Sequence, residues 1–196
     1  MRIDALEEKR FDHIPVVMVR EDLSNLPVYA LPEGYRLRYY REGEDCLWVD
    51  IEIAVGSFHT VDSAFDYFEK EFGPGREEME ERCLYLETED GQAIGTSTAW
   101  YNSDFNGRDH GRIHWVAVRP EFQGKGLARP LLAASLSRIA ELHERAYLTT
   151  QTTSARAINL YLDFGFIPFE TYDRCREGWQ LLADVLNHPE LATYRA

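Results

Sequence analysis

RIHWVAV (112–118), RPEFQGKGLARP (119–130) and LLAASLSRIAELH (131–143) run on without a break, and their succession decides the fold. The first stretch has the composition of a strand. From Leu127 onward the apolar residues Leu127, Leu131, Leu132, Leu136, Ile139 and Leu142 recur at helical spacing, which predicts a helix over 127–143. Between them two glycines frame a lysine. A helix N-terminus leaves four backbone N–H groups without intrahelical partners and carries partial positive charge, and glycines let an anion approach the backbone closely. Pro130 would clash with the carbonyl of Gly126 in a helix interior, so it belongs to the first turn. Arg119, Lys125 and Arg129 outweigh Glu121, giving a basic island that suits an anionic, phosphate-bearing ligand.

Outward from this unit, AYLTT (146–150) reads as a short buried strand. Residues 154–164 read as a helix closed by Gly165, and FIPFETYD (166–173) as a further strand. On the other side, CLYLET (83–88) and AIGTSTAWY (93–101) flank the turn signal Glu89, Asp90, Gly91 and predict an antiparallel hairpin. The following NSDFNGRDHG (102–111) reads as a polar, flexible loop. Upstream, YRLRYY (35–40) predicts a strand, CLWVDIEIAV (46–55) a helix, and residues 61–72 a second helix capped by Asp62 or Ser63 and ended by GPG (73–75). Pro27, Pro32 and Gly34 punctuate the chain, so residues 1–34 read as an extended arm packed on a main domain of residues 35–196. The order predicts an α/β fold (α+β in some schemes): a mixed sheet flanked by helices.

Composition excludes several classes. With 196 residues, 44% of them apolar, the chain can bury a core and suits one domain. Lys and Arg number 21 against 34 Asp and Glu, a net charge of -13 that repels nucleic acid and anionic membranes and attracts cationic ligands. Cys46, Cys83 and Cys175 are odd in number and form no C-x-x-C pair, so neither a disulfide framework nor a zinc site is expected, and a reducing cytoplasm fits best. The charged start MRIDALEEKR does not resemble an export signal, and no stretch has the length of a membrane span.

The loop satisfies neither the P-loop nor the dinucleotide fingerprint. Its pattern Gln123-x-x-Gly126-x-Ala128 matches the Q/R-x-x-G-x-G/A signature, and AINLYLDFGF (157–166) repeats a second family segment through Ala157, Leu160, Tyr161, Gly165 and Phe166. On these residues the chain resembles the GNAT superfamily of acyl-CoA-dependent N-acetyltransferases. Motif-level likeness is confined to residues 112–166, and the order of elements extends it to about 35–185. Ser154 stands where the family usually has Asn.

The resemblance implies a mostly antiparallel central sheet, splayed beyond a bulge in strand 112–118. Acetyl-CoA would lie with its pyrophosphate on Gln123, Gly124, Lys125, Gly126, Leu127, Ala128 and Arg129. Its pantetheine would bond backbone around Val116, Ala117 and Val118 and reach Ser154, which alternatively caps the helix. The acetyl group would pass to a primary amine of a small cationic molecule or a protein, by direct attack in a ternary complex. Tyr161 is the implied general acid for the CoA thiolate. An alkylamine of pKa about 10.4 is mostly protonated at neutral pH, so a base must take its proton. His114 is the candidate, placed on the same face as Arg112, Val116 and Val118 if strand pairing is regular, with Glu52, Asp50 and His59 as alternatives. No metal is expected. The competing class is a non-catalytic acyl-CoA sensor with the same fold, and a homodimer is left open.

Overall fold

The computed structural model describes residues 12–171 and 173–195. In chain order the elements are β1 (Pro15–Arg20), β2 (Tyr35–Tyr39), α1 (Asp45–Ala54), α2 (Val61–Phe72), α3 (Met79–Arg82), β3 (Cys83–Thr88), β4 (Ala93–Phe105), β5 (Arg108–Val118), α4 (Ala128–Leu142), β6 (Ala146–Gln151), α5 (Ala155–Asp163), β7 (Ile167–Phe169) and α6 (Cys175–Val185). They divide into two compact units. One comprises residues 26–143, the other the described residues within 1–25 and 144–196.

In the larger unit β2, β3, β4 and β5 pair antiparallel in sequence order. One face of these strands carries an aromatic core of Trp48 from α1, Phe68 and Phe72 from α2, and Tyr40, Tyr85 and Trp100. The other carries Leu84, Leu86, Ile94 and Val118 against Leu127 and Leu131 at the start of α4. The α1 and α2 helices stand where the sequence predicts them. The cap of α2 is neither Asp62 nor Ser63 but Thr60, whose Oγ1 accepts from the Ser63 amide at 3.2 Å. Thr60 is the last extended residue, and a side-chain acceptor there reaches the N3 amide.

The predicted loop 102–111 is a correction. β4 runs to Phe105 and β5 starts at Arg108, with Phe105 paired to Arg108 across a two-residue turn. Asn106 (φ 51°) and Gly107 (φ 76°) both occupy the left-handed region, the conformation that matches strand twist in a tight hairpin and that Asn-Gly favours.

A second irregularity lies within β5. Thr96 pairs with Ala117 and Thr98 with His114, so Trp115 and Val116 together oppose Ser97. This β-bulge holds Trp115 at φ 51°, a backbone region costly for a bulky side chain. The extra residue shifts the alternation: His114 and Ala117 face the aromatic side, while Val118 faces α4. The regular-pairing expectation that His114 and Val118 share a face is thereby corrected. The bulge itself stands in the strand where the resemblance places one.

In the smaller unit β1 lies between β6 and β7, antiparallel to both. Val16, Val17, Met18 and Val19 are all buried, as a strand covered on both faces requires, so the apolar run at 14–19 is sheet rather than a bare extended segment. Residues 1–11 of the predicted arm lie outside the described residues. The predicted strand 166–173 is limited to Ile167–Phe169, and Tyr172 is outside the described residues. α6, which the sequence reading did not identify, packs against β1: a Cβ at Gly178 would come within 3.0 Å of the Val16 side chain. Among the described residues no helix is long and apolar enough to cross a membrane.

Candidate active site

The glycine loop is anchored at both ends of its approach. The Arg119 amide donates to the Ile94 carbonyl at 2.8 Å and its Nε to the Ala93 carbonyl at 3.1 Å, which pins the exit of β5 to β4. A single 3₁₀ turn, Pro120–Phe122, follows, and the Gln123 Nε2 amide then reaches back to donate to the Val118 carbonyl at 2.8 Å. Gln123 thus holds the loop against the end of the strand. Gly124 (φ 76°) and Gly126 (φ 79°) both lie in the left-handed region, and nothing stands within 4 Å of where a Cβ would be at either. Glycine is required there by backbone conformation, not by crowding.

Residues 123–126 are exposed, while Leu127 is buried and closes the N-terminus of α4 without a side-chain capping bond. Ala128, Arg129 and Pro130 form the first turn, which places Pro130 where its missing N–H breaks no intrahelical bond. Lys125 Nζ lies 4.5 Å from the centre of the Phe122 ring, and the Arg129 guanidinium 5.9 Å from that of Tyr29. Open amides, an uncapped helix start and basic side chains are the elements of an anion cradle. The loop fits the pyrophosphate of CoA on these grounds: it is exposed, positively flanked and free of side-chain bulk.

His114 stands on β5 immediately before the bulge, 8% exposed. Its Nε2 lies 2.7 Å from Glu71 Oε1 in the last turn of α2, and its ring packs against Phe72 and Trp115. Burial pushes the imidazole down to about 4, outweighing the Glu71 hydrogen bond that raises it, so His114 is neutral near pH 7. Glu71 is held below the ordinary carboxylate range, chiefly by its bond to His114. The sequence reading did not single out Glu71. Of the alternative bases, Asp50 and His59 are exposed. Glu52 is 1% exposed: burial pushes its carboxyl up to about 7, Ser57 Oγ donates to Oε2 at 2.7 Å, and Oε1 has no partner among the described residues.

Trp115 adjoins Phe58 and Tyr67, with ring centres 5.5 and 5.1 Å away, and all three rings are half-buried. Val116, in the bulge, is half-buried as well, while Ala117 and Val118 are buried. The larger unit therefore brings together His114, the bulge and the glycine loop along one strand and its exit.

The other two predicted residues lie in the smaller unit. Tyr161, on α5, is buried beside Phe166, and burial pushes its phenol up to about 12. Ser154 precedes α5 but makes no capping bond; its Oγ accepts from Gln151 Nε2 at 2.7 Å. Among the described residues no group of three or more His, Cys, Asp or Glu is placed to hold a metal ion.

Comparison with known proteins agrees with the fold. The chain is 29% identical over 149 residues to a mycothiol acetyltransferase of Streptomyces bingchenggensis, covering 75% of this chain and 47% of that protein. It thus spans about half the length of the curated relatives it matches. Among solved structures, a GCN5-related N-acetyltransferase from Sphaerobacter thermophilus superposes with a TM-score of 0.60 at 22% identity, over 84% of this chain and 52% of that one. A chain of the NatC complex bound to Gag peptide and CoA does so with 0.54 at 18%, over 70% and 87%. The likeness extends to the family level: residues 37–166 match the acetyltransferase (GNAT) family, and the chain belongs to it.

Proposed function

We propose that this protein is an N-acetyltransferase that carries an acetyl group from acetyl-CoA to a primary amine by direct attack in a ternary complex. The observation that supports it most is the loop from Gln123 to Arg129: two left-handed glycines around Lys125, open to solvent, at an uncapped helix start. That arrangement offers the pyrophosphate backbone amides and the dipole of α4, with Lys125 and Arg129 adding positive charge. Ser154 and the backbone of Val116, Ala117 and Val118 are the proposed contacts of the pantetheine arm.

When bound, acetyl-CoA supplies an activated acyl carbon and a thiolate leaving group. What remains for the protein is proton management. His114, with a conjugate acid near 4, is about six units too weak to strip a free alkylammonium of pKa about 10.4. The amine must therefore arrive neutral, which an apolar approach past Phe58, Tyr67 and Trp115 favours by disfavouring the cation. His114 then receives the proton that nitrogen sheds as it bonds to the acyl carbon. Tyr161 faces the opposite demand. A phenol raised to about 12 keeps its proton at every physiological pH, so it always has a hydrogen bond to donate to the departing sulfur.

The acceptor is proposed as an amine on a small cationic molecule or a protein, in keeping with the net charge of -13. The relatives' names add mycothiol-type acceptors to those worth testing. Calorimetric titration with acetyl-CoA, followed by thiol release across a panel of amines, tests the proposal. Binding without amine-dependent release would identify a sensor instead, and absence of binding would remove the reading altogether. Tyr161→Phe is expected to lower kcat by roughly 100-fold or more while leaving CoA affinity and thermal stability unchanged. Equal rates in the variant and the parent would make Tyr161 a packing residue.

A further inference from the structure

The Glu71 carboxylate serves three side chains. Oε1 lies 2.7 Å from His114 Nε2 and accepts from Arg112 at 3.1 Å, while Tyr67 donates to Oε2 at 3.4 Å. A neutral imidazole has two tautomers, and the partner of one nitrogen decides which is populated. An ionised carboxylate only accepts. Nε2 must therefore carry the proton, and Nδ1 presents its lone pair. Nδ1 has no hydrogen-bond partner among the described residues, and the side chain keeps 9% of its surface open.

We infer that Glu71 is the positioning residue for His114: it locks the imidazole as the Nε2–H tautomer and so makes Nδ1 the atom that accepts the proton of the attacking amine. This rests on the assignment of His114 as the base. The amine lone pair forms the bond to the acyl carbon, the carbon–sulfur pair leaves with sulfur, and the proton lost by nitrogen comes to rest on Nδ1. Glu71 takes no proton. Its charge stabilises the imidazolium that results, and Arg112 holds the carboxylate ionised through that step. The charged groups acting on His114 are Glu71 from α2, which favours its protonation, and Arg112 from its own strand, which opposes it. Phe72, Trp115 and the cross-strand partner Thr98, which also surround it, carry no charge.

The position of Glu71 supports a dedicated role. It is half-buried at the end of an otherwise acidic and exposed helix edge, and Glu69, two residues earlier, turns outward to pair with Arg76. Folding a carboxylate toward a buried histidine costs desolvation that a surface position avoids. The paired contacts of Oε1 with Arg112 and His114 offset it.

The test uses the full chain labelled with ¹⁵N-histidine, together with E71L, E71Q, H114Q and the double variant E71L/H114Q. Long-range ¹⁵N–¹H spectra near neutral pH are expected to show His114 as the Nε2–H tautomer in the parent and as a mixture in E71L. E71L is expected to lower kcat roughly 10- to 100-fold with the KM for acetyl-CoA within about twofold, and E71Q, which keeps an acceptor oxygen, to recover part of the loss. E71L/H114Q is expected to match H114Q alone, because a positioning residue has nothing left to position. An Nδ1–H tautomer in the parent would overturn the inference, as would E71L slowing H114Q as much as it slows the parent. H114Q turning over at the parental rate would overturn the base assignment itself, whatever E71L does. Absence of any amine-dependent turnover in the parent would overturn the acetyltransferase reading and leave the spectra to decide the tautomer alone.

Discussion

The two faces of the β2–β5 sheet are built from different materials. The α4 face is aliphatic, with Leu84, Leu86, Ile94, Val118, Leu127 and Leu131, and its buried polar pair is satisfied: Ser135 Oγ donates to Ser97 Oγ at 2.7 Å. The face under α1 and α2 is aromatic and holds Glu52, Glu71 and His114, and there the Nε1 atoms of Trp48 and Trp115 and Oε1 of Glu52 lack partners among the described residues. Native cores leave few buried polar atoms unpaired, since each costs about 1–3 kcal/mol. Their gathering on one face sets that face apart from the aliphatic one. The bulge at Trp115 and Val116 is where β5 changes allegiance, sending His114 to one face and Val118 to the other.

If the α4 face serves only cohesion, its disruption should cost stability and little else. Leu131→Ala, at a fully buried position, is expected to lower unfolding free energy by about 2–5 kcal/mol, measured by urea titration, with the specific activity of the folded fraction preserved. Loss of kcat beyond the loss of folded protein would tie this face to the chemistry and erase the contrast.

The aromatic face should instead betray itself through pH. Glu52 rises from its ordinary 4.5 to about 7 by burial, so the folded state holds a proton that the unfolded chain releases. Its contribution is fully present below about pH 4.5 and is lost as pH rises through 7, amounting to about 3 kcal/mol. His114 works in the other direction: with its folded value depressed to about 4, its contribution is present above 6.5 and is lost as pH falls toward 4. In the parent the two oppose each other between about pH 4.5 and 6.5. Glu52→Gln, a mimic of the neutral acid, removes one of them. The variant is expected to gain up to about 3 kcal/mol over the parent at pH 8, and to lose stability steadily on acidification. Parallel curves for parent and variant would show that Glu52 is ionised and solvated in the folded state.

Much of this was legible in the sequence because it is local. The strand at residues 83–88 coincides with β3, and the helix start after Gly126 follows from Pro130 and the glycines alone. Four features were not read. Asn106-Gly107 is a hairpin signal, but the strand ends around it, Asn102, Ser103 and Asp104, are exposed and lack apolar alternation, so the polar stretch looks like a loop. The run at residues 14–19 has no period because both faces of β1 are buried, so neither alternates toward water. Glu71 lies 43 residues from His114 in a run of charge, and only tertiary structure shows which of its acidic neighbours turns inward. In α6, Cys175, Trp179 and Leu182 carry helical spacing that could have been found.

The finest test of the contrast uses the buried Ser97–Ser135 pair of the aliphatic face. Ser97 and Ser135 are both fully buried and bond only because β4 and α4 are held at hydroxyl distance. Ser135→Ala removes a partner and leaves the Ser97 hydroxyl buried without it, at an expected cost of about 1–3 kcal/mol. Removing both groups abolishes the debt along with the bond, so S97A/S135A is expected to lie within about 1 kcal/mol of the parent, closer than S135A itself. A double-variant cycle by denaturant unfolding measures the difference. Strictly additive losses would mean that each hydroxyl is satisfied independently, by the Ser97 carbonyl 3.4 Å from Ser135 Oγ or by water, and that the aliphatic face also carries polar groups with no structural claim on each other.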